Sequence, residues 1–309
     1  MKKFLSLALL FLACTPLQAW NNTGHMVTAR LAWKRLSEDQ RNSAVMILKK
    51  HPHYSEFLVM QRPEGFSEDE WVFLRAATWP DWVRNHHKQE FHHGPWHFIN
   101  YPFVPPDSSI DAGNHQPAAD DKENIVYRLP YSIAKVKNGN SEDRAIYLCW
   151  MLHLVGDIHQ PLHCAALFSE QFPKGDEGGN LAFIRIKTSP VKLHAFWDGL
   201  LGRSVTPSSI GRQIKEIEEI LADDSELIQK GIESHKTVES WAKESLELAK
   251  KAAYLNGKLE LASAKEDVDD EDVPQAPEDY ARNAGRTARI QVGKAGQRLA
   301  ELIAKTLAE

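Results

Sequence analysis

Cysteine is scarce: Cys14, Cys149 and Cys164 are the only three in 309 residues. That excludes a disulfide-built scaffold and a zinc finger of the cysteine type. Basic residues are in deficit, 37 Lys and Arg against 42 Asp and Glu, for a formal charge of −5. So acidic a chain offers no broad basic face for clamping duplex nucleic acid. Bound metal ions would still supply positive charge locally. The longest apolar run, near the N-terminus, falls well short of the roughly 20 residues that cross a bilayer. No internal repeat or separating linker divides the chain, so one domain is the economical reading. The zinc-protease signature His-Glu-x-x-His is missing. Residues 266–272 hold six acids in seven positions. They lack the glycine at the sixth position that an EF-hand calcium loop requires, and read as a solvated loop.

What is present starts with an address. Lys2 and Lys3 precede an apolar stretch from Phe4 to Ala13, and Leu17-Gln-Ala19 supplies a small residue before a cut. Residues 1–19 therefore read as a signal peptide, and residues 20–309 as an exported chain, periplasmic or secreted, that begins at Trp20. Lys2 and Lys3 are the only charges in the leader, so the remainder carries −5 − 2 = −7.

Helical spacing dominates the rest. Helices are expected over 23–36, from 38 and from 68 (both opened by capping-box patterns), and over 141 to about 158. Others follow at 193–201, 206–222, 236–256 and 278–307. Residues 87–122 read as irregular, 175–180 as a Gly-rich loop and 181–186 as a short strand.

Histidine is the conspicuous presence, at 14 residues. The helix around Trp150 is apolar nearly all round and so reads as buried. It nevertheless carries His153 and Asp157 one turn apart on one face. Burying both costs several kcal/mol, on the order of what each unpartnered polar group demands. A shared metal ion or a plain His–Asp hydrogen bond would each satisfy them. His163 follows after Pro161, and His194 and Asp198 repeat the four-residue spacing. Asp81 follows Trp79, His97 and Phe98 follow Trp96, and His25 follows Gly24. Imidazole and carboxylate are ordinary zinc ligands in sites that keep a position open for water, and so many of them favour several ions over one.

With these residues in order, the chain resembles the type I nucleases, the zinc-dependent single-strand-specific nucleases of fungi and plants, which share a fold with bacterial zinc phospholipases C. The matching motifs are Trp20, Gly24-His25, Trp79-x-Asp81-x-x-Arg84, Trp96-His-Phe-Ile99, His153-Leu-Val-Gly-Asp157-Ile-His-Gln-Pro-Leu-His163, Gly178-Gly-Asn180, His194-x3-Asp198 and Ala295-Gly-Gln-Arg-Leu-Ala300. The resemblance implies an all-α, mostly helical domain with at most a short β-hairpin. It implies three zinc ions: one on Asp81, His97, His153 and Asp157; one on the α-amino group and carbonyl of Trp20 with His25 and Asp157; one on His163, His194 and Asp198. Asp157 would bridge two ions, and the amino-group ligand would tie activity to removal of the leader. Arg84 would stabilise transition-state charge beside Asp81, Asn180 would contact the scissile phosphate, and Phe98 would stack an unpaired base. The implied substrates are single-stranded DNA or RNA, cut to 5′-nucleotides, and 3′-nucleotides, with neither stable membrane association nor an obligate protein partner. The family places an Asp where this chain has Asn100, which both donates and accepts where a carboxylate only accepts, so the resemblance leaves base preference open.

Two rivals remain. A zinc phospholipase C would use nearly the same cage, but its last ligand pair is normally His-x3-Glu where this chain has Asp198. A non-catalytic exported zinc-binding protein would have no use for Arg84, Asn180 or an exposed Phe98. Of the other histidines, His159 is expected to support the ligands, His86, His87, His92 and His93 to form a polar loop cluster, and His51, His53, His115 and His235 to lie at the surface. Cys149 and Cys164 would be about 22 Å apart on a continuous helix, so no bond is expected unless Pro161 folds the chain back.

Overall fold

The computed structural model describes residues 20–118, 120–263 and 270–308. The expected leader, Cys14 and residues 266–269 of the acidic run lie outside them. The helices are α1 (Asn22–Arg35), α2 (Glu38–Leu48), α3 (Glu68–Ala76), α4 (Trp79–His86), α5 (Lys88–Phe91), α6 (Ile125–Asn138), α7 (Ser141–Asp157), α8 (Leu193–Asp198), α9 (Pro207–Asp223), α10 (Ser225–Ser234), α11 (Val238–Leu248) and α12 (Tyr280–Leu307). The strands are β1 (Pro102–Phe103), β2 (Ala166–Leu167), β3 (Ala182–Ile186), β4 (Ser189–Lys192) and β5 (Ala262–Ser263). The chain is mostly helical, as its periodicity requires. Its hairpin is β3–β4, and β5 adds two residue pairs to the other edge of β3, while β1 and β2 form a two-residue parallel pair.

Local chemistry sets the boundaries. Ser37 opens α2 with a reciprocal box: its hydroxyl accepts from the Gln40 amide, and its own amide donates to the Gln40 side chain. Ser67 caps α3 one way only, because the Glu70 carboxylate turns instead to Arg30 at 2.8 Å. The expected helix over 236–256 stops at Leu248; a π turn follows, and Leu255 and Asn256 then take positive φ. Helix α6 escaped the pattern because Pro130 stands inside it; Asn124 caps its start.

Helix α7 runs through the centre, buried from Leu148 to Asp157. Helix α12 lies against α1 and α9 and also meets α7. Its approach to α1 is close enough that a Cβ on Gly296 would stand 2.5 Å from the Leu31 Cβ. The same helix delivers Arg298 into the interior. There its guanidinium donates to Glu244 and to His159, each at 2.7 Å, while Lys294 donates to the other Glu244 oxygen. His159 thus binds Arg298 rather than the candidate ligands beside it in sequence. Arg298→Ala leaves Glu244 short of a partner in a buried place. Because Lys294 still pairs with Glu244, the substitution should lower the unfolding free energy by roughly 1.5–3 kcal/mol in urea titration, the scale of a lost hydrogen bond to a charged group. A loss below about 1 kcal/mol, the size of an exposed pair, would contradict that role. Cys149 and Cys164 are both buried and free.

Candidate metal centre and its pocket

Four helices and one turn deliver most of the polar side chains. Helix α1 brings His25, α4 brings Asp81 and Arg84, α7 brings His153 and Asp157, and α8 brings His194 and Asp198; the turn Pro161–Cys164 brings His163. His97 ends the short turn Gly94–His97. All eight His and Asp residues of this set are buried, His25, His153 and Asp157 completely. Trp20 is also fully buried, and a Cβ on Gly24 would stand 2.8 Å from its Cβ.

The side chains converge. His25 Nε2 lies 3.3 Å from Asp157 Oδ1, and His97 Nδ1 lies 2.9 Å from Asp157 Oδ2. His153 Nε2 stands 3.2 Å from Asp157 Oδ2 and 3.9 Å from Asp81 Oδ1. His194 Nε2 lies 3.4 Å from Asp198 Oδ2, and the rings of His163 and His194 are 4.9 Å apart. Three groups therefore place their ligand atoms within 4.8 Å of one another: His25, Asp81 and His153; His97, His153 and Asp157; His163, His194 and Asp198.

The backbone fixes the tautomers. His153 Nδ1 donates to the Ala77 carbonyl at 2.8 Å, His163 Nδ1 to His97 at 2.7 Å and His194 Nδ1 to Gly178 at 2.7 Å. A carbonyl only accepts, so each ring keeps its proton on Nδ1 and turns the Nε2 lone pair towards its neighbours. The His153 lone pair meets His97 Nδ1 at 3.0 Å as well as an Asp157 oxygen, whereas that of His194 meets a carboxylate oxygen, a repulsive contact unless a cation or proton lies between them. Both Asp81 oxygens, Asp157 Oδ1, His163 Nε2, His97 Nε2 and both His25 nitrogens are buried without a hydrogen-bond partner. Such orphans normally cost about 1–3 kcal/mol each. Burial also holds the imidazoles of His25, His97 and His163 well below their ordinary pKa and that of His194 down to about 4. It pushes Asp81 up to about 6, and Asp157 and Asp198 well above the usual carboxylate range. Neutral imidazoles around uncompensated carboxylates fit divalent ions: the donor set, the exposed lone pairs and the orphaned atoms all call for positive charge.

One cavity of about 400 Å³ opens beside this cluster. Arg84, Phe98, Asn100 and Asn180 line it together with His97, His163 and His194. Phe98 is exposed, and Arg84 forms no ion pair among the described residues. Asn180 gives one amide hydrogen to the Glu177 carbonyl at 2.8 Å and retains a second. The Gly-rich loop brings Asn180 there. Gly178 has φ +63°, and a Cβ on it would strike the Leu162 carbonyl at 2.4 Å. Gly156 plays the same part beneath the cage, where a Cβ would come within 2.7 Å of His25 Nδ1. Gly156→Ala should therefore displace His25 and reduce bound metal by at least tenfold in affinity, the scale of a disturbed ligand support. Unchanged affinity by chelator competition would show that His25 is not a ligand.

Two further residues support this region. Gln160, fully buried, donates to Asp198 Oδ1 at 2.8 Å. Glu177 lines the cavity from a strained φ of 55°. Gln160 stands inside the 153–163 motif and Glu177 beside two glycines, but neither residue type marks the role by itself. His51 and His53 are buried, contrary to the surface positions expected of them. The Trp79 indole donates to His53 Nδ1 at 3.0 Å, and His53 stacks on His87. An indole N–H only donates, so His53 keeps its proton on Nε2; its grouping with Glu56 and His87 lacks the free lone pair that the other three have.

The S1/P1 Nuclease family model matches residues 20–308. Endonuclease 4 of Arabidopsis thaliana is 23% identical over 253 residues, covering 77% of this chain and 76% of that protein. Nuclease S1 of Aspergillus oryzae is 25% identical over 181 residues, 58% of this chain and 53% of its own length. Endonuclease 2 of Arabidopsis thaliana is 25% identical over 204 residues, 61% and 58% of the two lengths.

Proposed function

Since the chain belongs to the S1/P1 nuclease family, we propose that it is an exported three-zinc phosphodiesterase that cuts single-stranded DNA or RNA to 5′-nucleotides and removes phosphate from 3′-nucleotides. The supporting observation is the shared cavity: an unpaired guanidinium, an amide and an exposed aromatic ring beside buried His and Asp lone pairs. Asp81, His97, His153 and Asp157 would hold one ion. The processed Trp20 terminus, His25 and Asp157 would hold a second, and His163, His194 and Asp198 a third. Zinc there supplies Lewis acidity and brings the pKa of water towards about 7.

The protein's own groups do the rest. Arg84 offers donors to phosphoryl oxygens and strengthens as charge develops on them. The second Asn180 hydrogen orients the phosphate. Phe98 stacks a base, which only an unpaired strand can present, at about 1–3 kcal/mol per base. Asn100, on the same wall, offers both a donor and an acceptor to the base edge. Phe98→Ala should raise KM for single strands about tenfold or more and narrow the preference over duplex. An unchanged ratio of single-strand to duplex cleavage would remove the stacking role. The broader test assays the processed protein on single-stranded DNA, RNA, 3′-nucleotides and phosphatidylcholine, with and without chelator. Release of 5′-nucleotides that stops on chelation is expected. Diacylglycerol release would favour the phospholipase reading, and zinc uptake without any ester hydrolysis the non-catalytic one.

A further inference from the structure

Helix α4 has two functional sides. Arg84 points to the cavity just described, whereas Asp81, Trp82, Asn85 and His86 line a second one, of about 340 Å³. Across this second cavity stands Arg75, at the end of α3. Its guanidinium lies 3.6 Å above the Phe57 ring, and its Nε is buried without a partner. No carboxylate pairs with it among the described residues. Glu56 also lines the cavity, but its carboxylate goes to His87 at 3.3 Å. Gln61 holds the rim in a left-handed conformation, φ 56°, that a non-glycine residue adopts at a cost. Asp81 lines this cavity too, and both of its oxygens are buried without a hydrogen-bond partner.

A half-buried guanidinium without a counter-charge, beside a cavity that reaches a ligand of the metal cage, calls for an anion. We propose that Arg75 forms a second phosphate site, on the far side of α4 from the cavity that holds Phe98, and that it takes a phosphate of the bound strand other than the one being cut. The proposal rests on the nuclease reading, since only bound cations make the Asp81 side of this cavity hospitable to a phosphate. Free nucleotide product offers the same chemistry, so the test has an arm for each source.

The experiment compares kcat/KM for a single-stranded octanucleotide with that for a dinucleoside monophosphate, whose one phosphate is the scissile one. It uses the zinc-loaded, processed enzyme. Arg75→Met keeps the stem over Phe57 and removes the charge. It should lower the octamer-to-dimer ratio about tenfold, the scale of one charge-assisted hydrogen bond. Arg75→Lys, which keeps a point charge, should lower it less. Asn85 is exposed, so Asn85→Asp tests the same cavity without disturbing the interior and should also lower the ratio. A second arm measures inhibition by 5′-AMP; a raised inhibition constant with an unchanged length ratio would assign the site to released product. Arg75→Met and Asn85→Asp proteins with normal zinc content and unchanged values in both arms would overturn the proposal. Failure of the parent enzyme to cut either substrate would instead refute the nuclease reading.

Discussion

Asp157→Asn should remove two metal ions and essentially all hydrolysis. The carboxylate sits where three imidazoles meet it: His25 at 3.3 Å from Oδ1, and His97 and His153 at 2.9 and 3.2 Å from Oδ2. Its two oxygens face different histidines, which is the disposition a bridge between two ions needs. An amide keeps the shape but removes the charge, and it turns an NH₂ towards a lone pair or an ion. Metal assistance to phosphoryl chemistry is worth several kcal/mol, so a fall in kcat/KM on the order of a thousandfold or more is expected. The loss should come with a lower melting temperature in the zinc-loaded sample, because bound metal stabilises only the folded state. An Asp157→Asn protein with full zinc content and near-normal turnover would end the bridging assignment.

The second large effect concerns the chain terminus. If the amino group of Trp20 is a ligand, a single extra residue in front of it turns that amine into an amide, which carries no lone pair for zinc. The indole is already fully buried, and Gly24 is pressed against its Cβ, so the residue has no freedom to swing aside and present another atom. Protein beginning at Trp20 and protein carrying one added glycine should therefore differ by one zinc per chain. Activity should differ by about a hundredfold, the upper range for disturbed metal support. Equal zinc content in the two forms would show that the terminus is not a ligand, while leaving the other two groups untouched.

The clustered His and Asp side chains are more legible in the sequence than the fold is. His153 and Asp157 were legible because a buried-looking helix does not carry an imidazole and a carboxylate one turn apart without a strong reason. His194 and Asp198 repeated that contradiction. What spacing could not supply was the partner of each ring nitrogen. The carbonyls of Ala77, His97 and Gly178 that hold the tautomers are backbone atoms, and no side-chain pattern announces them. His159 shows the converse. Its neighbours in sequence suggested service to the ligands, yet the turn that begins at Gly156 aims it at Arg298 on α12. His51 and His53 lie deeper than their polar surroundings in sequence suggest, because polar composition does not by itself mean exposure; the Trp79 indole buries His53 by giving its nitrogen a partner. Among the helices, α6 was hidden by Pro130.

Cation binding by the buried His and Asp side chains is tested most directly by an anomalous difference map at the zinc edge, from crystals of the protein beginning at Trp20. Three peaks are expected: one among Asp81, His97, His153 and Asp157, one at His25 and the chain terminus, and one among His163, His194 and Asp198. A map without density in these positions, from zinc-supplemented protein that cleaves single-stranded DNA, would contradict it.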